Sequence, residues 1–296
     1  MALHPQARAA AEAAARQTGV HTPGYDVEDH RRRARAEAAA EPREEVARVE
    51  DLDCDGVPAR LYLPHEDVAL LVVHLHGGGF VFNDVDVHDA SARRLARRSG
   101  AAVLSVEYRR PPEHRFPAAP DDVDTVLAWL AAHGAEHGLD LPLAAHGDSA
   151  GANLALVAAL RHPGRFVALA LIYPFLDPTA SFPSASRERA GFDPRDAAWY
   201  WEQYAASPDD LTDPDLAPLL SPHLGTLPPT LVVTAEHDPL RDEGEHLADL
   251  LAQAGVEVTG TRYLGMVHGF WRHPSVFDAA EPLMSQVAGF LRLHGA

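Results

Sequence analysis

Residues 141–161 read LPLAAHGDSAGANLALVAALR and decide the fold, because a strand-like pattern changes to a helix-like pattern around one serine. The apolar run before Gly147 predicts a buried strand, and the apolar spacing after Gly151 predicts a helix. Glycines at these two positions let neighbouring backbone approach closely, so we expect Ser149 on a sharp turn with its hydroxyl exposed. The first turn of the helix also directs N–H groups to this point. Such a G-x-S-x-G turn is typical of a serine nucleophile.

Short strand patterns alternate with amphipathic helical patterns from about residue 68 onwards. This order predicts an α/β fold with a mostly parallel central sheet flanked by helices. Residues 48–64, RVEDLDCDGVPARLYLP, predict an antiparallel hairpin at the edge of the sheet, with Asp55 and Gly56 in the turn. The other predicted strands span 69–76, 101–108, 141–147, 166–174, 228–236 and 257–264.

Two regions do not follow the alternation. Residues 1–48 are rich in alanine, arginine and glutamate and have helical character. Residues 178–218 form an insertion that is interrupted by prolines and contains a Trp-Tyr-Trp sequence at 199–201. Because loops of this length usually have a function, we expect the insertion to be functional.

The composition excludes several classes of function. The 296 residues have a formal charge of −18, which disfavours nucleic acids and anionic membranes as partners. The chain has no lysine, and therefore neither the lysine of a P-loop nor the Schiff-base lysine of a pyridoxal phosphate enzyme. No apolar run is long enough for a membrane span, no signal-peptide core is present, and Cys54 has no disulfide partner. We therefore expect a cytoplasmic protein without stable membrane insertion, for which a homodimer is one compatible state.

A second motif, HGGG at 76–79, follows the first long buried strand. Consecutive glycines leave backbone N–H groups accessible, and this motif is typical of the oxyanion hole of lipases and esterases. Such donors stabilise the negative oxygen of a tetrahedral intermediate more than the ground state, each by about 10²- to 10³-fold in rate. A flexible glycine turn is the alternative, and the nearby serine motif favours the oxyanion hole.

A serine nucleophile needs a base and an orienting acid, which α/β-hydrolases supply in the order Ser, Asp, His. Asp238 and His268 lie just beyond the ends of two successive predicted strands, where open α/β sheets gather their active sites. Glu236 and Asp242 compete with Asp238, but one lies at the strand end and the other in a helical pattern. His237 competes with His268, but it is adjacent to Asp238, and neighbouring side chains rarely face each other productively.

A zinc site is a competing interpretation. HGAEH at 133–137 has the H-x-x-E-H form of a zinc peptidase motif. The segment falls at the end of a predicted helix beside Gly134 and Gly138, and the sequence offers no obvious distant third ligand. His74 and His76, which share one strand face, are a weaker metal signal.

Five blocks of the chain, from about residue 50 to the end, resemble the hormone-sensitive lipase family of α/β-hydrolase esterases. The resemblance implies Ser149 as nucleophile, His268 as base and Asp238 as orienting acid. It implies an oxyanion hole formed by amides of Gly78, Gly79 and Ala150, and it implies neither a metal nor a cofactor. The blocks are HLHGGGFVF, YRRPPEHRFPAAPDD, GDSAGANLA, LPPTLVVTAEHDPLRDEGE and MVHGF.

The resemblance also implies one α/β-hydrolase domain over 1–296 with a small helical cap. The cap would consist of 1–48 and 178–218, and the catalytic core of 49–177 and 219–296. Two departures from the family pattern, Ala152 and Asn83, affect only the expected shape of local loops.

These features predict a serine carboxylesterase that acts on small-molecule esters with short to medium acyl chains. A non-catalytic small-molecule receptor with the same fold and the zinc peptidase are the alternatives. The presence of His268 favours the enzyme over the receptor, because receptors that resemble this family have lost the catalytic histidine. The aromatic residues expected in the substrate pocket are Phe80, Phe82, Trp199, Trp201 and Phe270.

Overall fold

A computed structural model describes residues 2–295 and contains one eight-stranded sheet. The strand order is β1-β2-β4-β3-β5-β6-β7-β8; β1 and β2 run antiparallel to their neighbours, and the other strands are parallel. The strands are β1 (Arg48–Cys54), β2 (Val57–Leu63), β3 (Leu71–Leu75), β4 (Ala102–Val106), β5 (Leu143–Asp148), β6 (Phe166–Ile172), β7 (Thr230–His237) and β8 (Val258–Val267).

Helices cover both faces of this sheet, and further helices come from the two regions that do not follow the alternation. The helices are α1 (Pro5–Ala14), α2 (Val27–Ala39), α3 (Asp89–Ser99), α4 (Ala118–His133), α5 (Ala150–Arg161), α6 (Pro183–Arg187), α7 (Pro194–Tyr204), α8 (Arg241–Gln253) and α9 (Ala280–His294). Among residues 2–295, none of these helices combines the length and the apolarity that a membrane span requires.

Alternation of side chains along the buried strands produces a hydrophobic core on each face of the sheet. Leu71, Val73 and Leu75 of β3 point into the core shared with α4, α5 and α8. Val72 points to the opposite core, which is shared with α3 and α9. Because every residue of β3 is buried, a continuous apolar run forms this strand, as in other parallel sheets covered on both faces.

The sheet topology brings the two glycine motifs together. From β3 the chain continues to β4 on one side and then to β5 on the other, so the strand order reverses between β3 and β5. Open α/β sheets bind ligands in the crevice beyond the carboxyl ends of the strands at such a point. The HGGG motif follows β3, and Ser149 follows β5.

The structure confirms the predicted fold class. The six other predicted strands are all present, and the predicted hairpin forms the edge of the sheet as β1 and β2. The last strand differs in length, because β8 extends to Val267 through an irregular pairing with β7. The insertion at 178–218 contributes α6, α7 and short 3-10 turns.

Candidate active site

Ser149 lies on the sharp turn between β5 and α5. Its backbone has φ 55° and ψ −119°, in the left-handed half of conformational space that non-glycine residues rarely occupy. The two flanking glycines are required by close packing. A Cβ atom on Gly147 would overlap the carbonyl of Gly151, and one on Gly151 would overlap the carbonyl oxygen of Leu75. The tight approach of α5 to β3 therefore holds the serine in its strained conformation.

The predicted base and acid lie beside this serine. His268 Nε2 is 3.0 Å from Ser149 Oγ, and His268 Nδ1 is 2.7 Å from Asp238 Oδ2. The imidazole thus connects the hydroxyl to the carboxylate in one chain of hydrogen bonds. His268 follows β8 and Asp238 follows β7, so both reach the serine from the carboxyl edge of the sheet.

The loop that carries Asp238 is held by further hydrogen bonds. The side chain of Asp238 is completely buried, and its Oδ1 accepts a hydrogen bond from the amide of Leu240 at 2.9 Å. Ser184 of α6 donates its hydroxyl hydrogen to the carbonyl of Pro239 at 2.7 Å. A carboxylate held on two sides keeps the imidazole oriented, which is the function of the acid in a Ser-His-Asp triad.

The residues that compete with Asp238 and His268 in the sequence make other contacts in the structure. His237 Nδ1 is 3.2 Å from Glu188 Oε2, and the side chain of Glu236 accepts a hydrogen bond from the amide of Gly265 at 2.7 Å. Asp242 lies in the first turn of α8 and accepts a hydrogen bond from the amide of Ser184.

The HGGG loop presents free amides near Ser149. Within residues 2–295, the amides of Gly78 and Gly79 have no hydrogen-bond acceptor, and Ala150 begins α5, where no preceding helical carbonyl can accept from its amide. Gly78 has φ +133°, which side-chain-bearing residues rarely adopt. Asn83, the departure from the family pattern, donates its side-chain amide to the carbonyl of Gly77 at 3.0 Å and so stabilises the loop.

A layer of buried histidines lies beneath the Ser149 turn, and only His74 and His76 of this region form a recognisable, weak pattern in the sequence. His74 Nδ1 is 2.9 Å from His146 Nδ1, and His88 Nδ1 is 3.7 Å from Asp148 Oδ1. Burial lowers the pKa of His74 to about 4 and holds the pKa values of His88 and His146 well below the usual value. These imidazoles are therefore neutral at pH 7.

Three members of this layer could supply ligands to a cation. His74, His88 and Asp148 place donor atoms within 4.8 Å of one another. However, the Arg272 guanidinium is near enough to reinforce the depressed pKa values of both histidines, and the same positive field opposes a bound cation. Asp148 Oδ1 also accepts a hydrogen bond from the amide of Gly77 at 3.0 Å. We therefore attribute the cluster to packing beneath the Ser149 turn.

The HGAEH segment does not form a comparable cluster. It begins at the last residue of α4 and continues into a 3-10 turn, and the rings of His133 and His137 pack against Trp129 at centroid distances of 6.0 and 5.1 Å. Within residues 2–295, it gathers no third ligand. The structure therefore gives no support to the zinc interpretation of this segment.

A cavity of about 220 Å³ opens directly in front of Ser149 and His268. Its walls come from the glycine loop, from the end of β6 and from the insertion at 178–218. The aromatic members are Tyr173, Phe175, Phe192 and Tyr200, and the remaining lining residues are Gly78, Gly79, Asn83, Asp148, Gly191, Gly269 and Arg272.

The five aromatics predicted for the pocket lie elsewhere, and that part of the prediction needs correction. Phe80 is completely buried and stacks on Tyr204 at a centroid distance of 3.8 Å. Phe270 is also completely buried and packs against Tyr263. Both rings are therefore core residues.

The other three predicted aromatics support the wall from behind. Trp201 packs on Phe175 at a centroid distance of 4.3 Å, and Phe82 lies between Trp199 and His30. Helical periodicity explains the difference, since Ala197, Trp201 and Tyr204 form the buried stripe of α7.

Tyr200 is the residue of α7 that reaches the cavity. The ring contacts Gly79 so closely that a Cβ atom on this glycine would overlap it. In the sequence, Tyr200 is recognisable only as the middle residue of the Trp-Tyr-Trp cluster. The orientation of α7 on the core determines which of the three rings faces the cavity.

The two segments predicted as a cap contact each other and the glycine loop. His21 Nδ1 is 2.6 Å from Asp196 Oδ1, which joins the N-terminal segment to the insertion. The buried side chain of Arg31 in α2 donates to the carbonyl of Val81 at 2.9 Å. The N-terminal region is therefore attached to the loop that follows HGGG.

Comparisons with known proteins agree with this geometry. Residues 72–272 match a family with the alpha/beta hydrolase fold. The chain is 34% identical over 254 residues to the ethyl acetate hydrolase of Pseudomonas putida, with 82% of this chain and 80% of the relative covered. It is 36% identical over 266 residues to the esterase LipI of Mycobacterium tuberculosis, with 84% and 83% covered.

A solved esterase structure is similar to this chain over its whole length. The hyperthermophilic esterase of Pyrobaculum calidifontis superposes with a TM-score of 0.89 at 36% identity, with 100% of both chains covered. The chain therefore belongs to the α/β-hydrolase family, in its hormone-sensitive lipase group of carboxylesterases, and is a carboxylic ester hydrolase.

Proposed function

We propose that the chain is a serine carboxylesterase that hydrolyses small esters with short to medium acyl chains through a covalent acyl-enzyme. The observation that carries this proposal is the continuous hydrogen-bond chain from Asp238 through His268 to Ser149 Oγ, with distances of 2.7 and 3.0 Å. Its position at the mouth of a cavity lets an ester carbonyl approach the hydroxyl.

In the first half of the reaction, Ser149 Oγ attacks the ester carbonyl while His268 Nε2 takes the hydroxyl proton. Asp238 accepts the Nδ1 hydrogen and stabilises the imidazolium. The carbonyl oxygen becomes negative, and the free amides of Gly78, Gly79 and Ala150 are the donors proposed to bind it. The tetrahedral intermediate then breaks the bond to the alcohol oxygen, which leaves with the proton from His268.

In the second half, His268 removes a proton from water, which attacks the acyl carbon. The same amides stabilise the second tetrahedral intermediate, and its collapse releases the carboxylic acid and returns the proton to Ser149. Every proton moves through one imidazole, so the reaction as proposed proceeds without a metal or a cofactor.

The size of the cavity supports small substrates. Its volume of about 220 Å³ is below the roughly 300 Å³ at which pockets begin to hold drug-sized ligands. The relative that is named an ethyl acetate hydrolase also supports short acyl and alcohol groups. We further propose that residues 1–48 and 178–218 act as the cap, because Phe192 and Tyr200 of the insertion form the outer wall of the cavity.

Hydrolysis of p-nitrophenyl acetate, butyrate and octanoate tests the proposal. We expect turnover with the acetate and the butyrate, and loss of about 10⁴- to 10⁶-fold in kcat for Ser149→Ala. Ser186→Ala, an exposed serine of α6, is the matched control and should retain full activity. A Ser149→Ala enzyme that still turns over, and is instead inhibited by a chelator, would contradict the mechanism. Ligand binding without any turnover would favour the receptor.

A further inference from the structure

Arg272 lines the active-site cavity, and among the described residues no carboxylate forms an ion pair with its side chain. It lines the cavity together with Ser149 and His268 and is half-buried. Within residues 2–295, its guanidinium has one polar side-chain contact, from Nη2 to His273 Nε2 at 3.5 Å. Its carbonyl oxygen accepts a hydrogen bond from Arg94 at 2.9 Å, which fixes the backbone of this turn.

Two arginines that contact the loop after HGGG are paired with acids. Arg110 donates to Glu107 at 2.6 Å, and Arg31 donates to Glu113 at 3.0 Å. In a chain with a formal charge of −18, carboxylates are plentiful, so an arginine without one at the catalytic cavity stands apart. A guanidinium offers five N–H donors, and a partly buried one is stabilised by an anion that accepts two of them.

The charge of Arg272 acts on Asp148 and on Glu41, but neither of these carboxylates forms an ion pair with it. Burial raises the pKa of Asp148, and the charge of Arg272 opposes that rise. The hydrogen bond from His273 lowers the pKa of Glu41, and Arg272 adds to this effect. Asp148 is already engaged by the amide of Gly77, and Glu41 by His273. Within the described residues, the guanidinium of Arg272 therefore has no carboxylate acceptor.

We infer that Arg272 forms an anion subsite, so that the preferred substrates are esters that carry a carboxylate on the acyl or the alcohol part. This inference rests on the proposed esterase function. A carboxylate in the cavity accepts two hydrogen bonds from the guanidinium while the ester carbonyl lies at Ser149. Because the site is partly shielded from water, such a charge-assisted pair contributes about 10- to 100-fold to kcat/KM.

Matched ester pairs test the inference. Monoethyl succinate and ethyl pentanoate differ by a carboxylate in place of an ethyl group on the acyl side. The 3-acetoxypropanoate anion and butyl acetate differ in the same way on the alcohol side. We expect Arg272→Gln to lower kcat/KM for the anionic member of at least one pair by about 10- to 100-fold, and to leave its neutral partner within about twofold.

Arg165→Gln is the matched control, because it removes the same charge at an exposed position before the amino end of β6, at the opposite edge of the sheet. It should leave all four values unchanged. Equal losses for both members of each pair in Arg272→Gln would show that Arg272 only supports the site and would overturn the inference. No hydrolysis of any of the four esters by the unmodified enzyme would instead refute the proposed function, and the inference with it.

The salt dependence of the unmodified enzyme gives a second test that does not depend on the folding of a variant. The negative charge of the chain as a whole repels an anionic ester, and salt screens that repulsion, so general electrostatics predicts a rate that rises with salt. A specific pair with Arg272 predicts the opposite: a preference for the anionic ester at about 10 mM salt that declines towards about 500 mM. A preference for the neutral ester at low salt would overturn the inference.

Discussion

Two regions of the molecule meet at the cavity, and they are built in different ways. The sheet rim, which carries Ser149, Asp238, His268 and the HGGG loop, is fixed by backbone contacts that tolerate no extra atom at Gly147 or Gly151. The outer wall, formed by Phe192 and Tyr200, is fixed by side chains that pack from a helix and a loop of the insertion. The rim is therefore held by steric limits on its backbone, and the outer wall is held by contacts between side chains.

This difference implies separate roles for the two regions in the proposed reaction: the rim affects the rate, and the outer wall affects which ester is preferred. Changes at the rim move the reacting atoms, for which errors of about 1 Å cost orders of magnitude in rate. Changes in the wall alter the shape of the space in front of them, where a methylene group is worth only about 1–3 kcal/mol. We therefore expect substitutions in the rim to abolish activity and substitutions in the wall to change which ester is preferred.

The largest expected effect is at His268, the proposed general base. His268→Ala removes the group that is proposed to accept the proton of Ser149 and should lower kcat by about 10⁴- to 10⁶-fold. His237→Ala is the matched control, because His237 follows the same edge of the sheet but contacts Glu188. It should lower kcat by less than about tenfold. Comparable losses in the two variants, measured with p-nitrophenyl acetate, would contradict the assignment of His268.

The next effect concerns the stability of the rim. Gly151→Ala places a Cβ atom into the Leu75 carbonyl and should lower the free energy of unfolding by more than about 4 kcal/mol. Gly289→Ala in α9 has no atom closer than 3.9 Å to the new Cβ and should raise it by about 0.5–1 kcal/mol. Urea unfolding of both variants measures the difference, and two similar values would argue against close packing at the turn.

Tyr200→Ala tests the wall. Loss of this ring beside Gly79 enlarges the cavity, and the ratio of kcat/KM for p-nitrophenyl octanoate to that for the acetate should rise about tenfold. Trp199→Ala is the matched control, because the neighbouring ring packs on Phe82 behind the wall. The account would be wrong if Trp199→Ala shifted the acyl-chain preference and Tyr200→Ala did not.

The smallest effect concerns the histidines beneath the rim. Burial holds the pKa of His88 well below the value of about 6.5 that it has in the unfolded chain. Between these two values the unfolded chain binds more protons, so stability falls as the pH falls through about 6.5, by at most about 1.4 kcal/mol per pH unit per histidine. His88→Leu should reduce this slope by the contribution of one histidine. Urea midpoints between pH 5 and 7 measure the slope, and an unchanged slope would refute the assigned pKa shift.

The residues of the rim could be predicted from the sequence, because each lies beside a local signal. Gly147, Ser149 and Gly151 lie within five residues, and Asp238 and His268 each follow a recognisable strand end, so pattern and chain order were enough to name them. The structure brings these side chains together as the pattern predicts.

The wall could not be predicted in the same way. Trp199, Tyr200 and Trp201 are consecutive aromatics, and only the packing of α7 on the core determines that Tyr200 reaches the cavity while Trp201 is buried. Arg272 was missed for a similar reason. Within residues 2–295, no carboxylate forms an ion pair with its guanidinium, and this depends on the whole tertiary structure rather than on the local sequence.

Covalent labelling tests the central claim most directly. A fluorophosphonate reacts with a serine only where a base activates the hydroxyl and amides stabilise the phosphoryl oxygen. We predict stoichiometric labelling of the enzyme, with the adduct on the peptide that contains Ser149 and a greatly reduced labelling rate in His268→Ala. Labelling at another serine of an enzyme that loses its activity, or retention of full activity after Ser149 is labelled, would contradict the account.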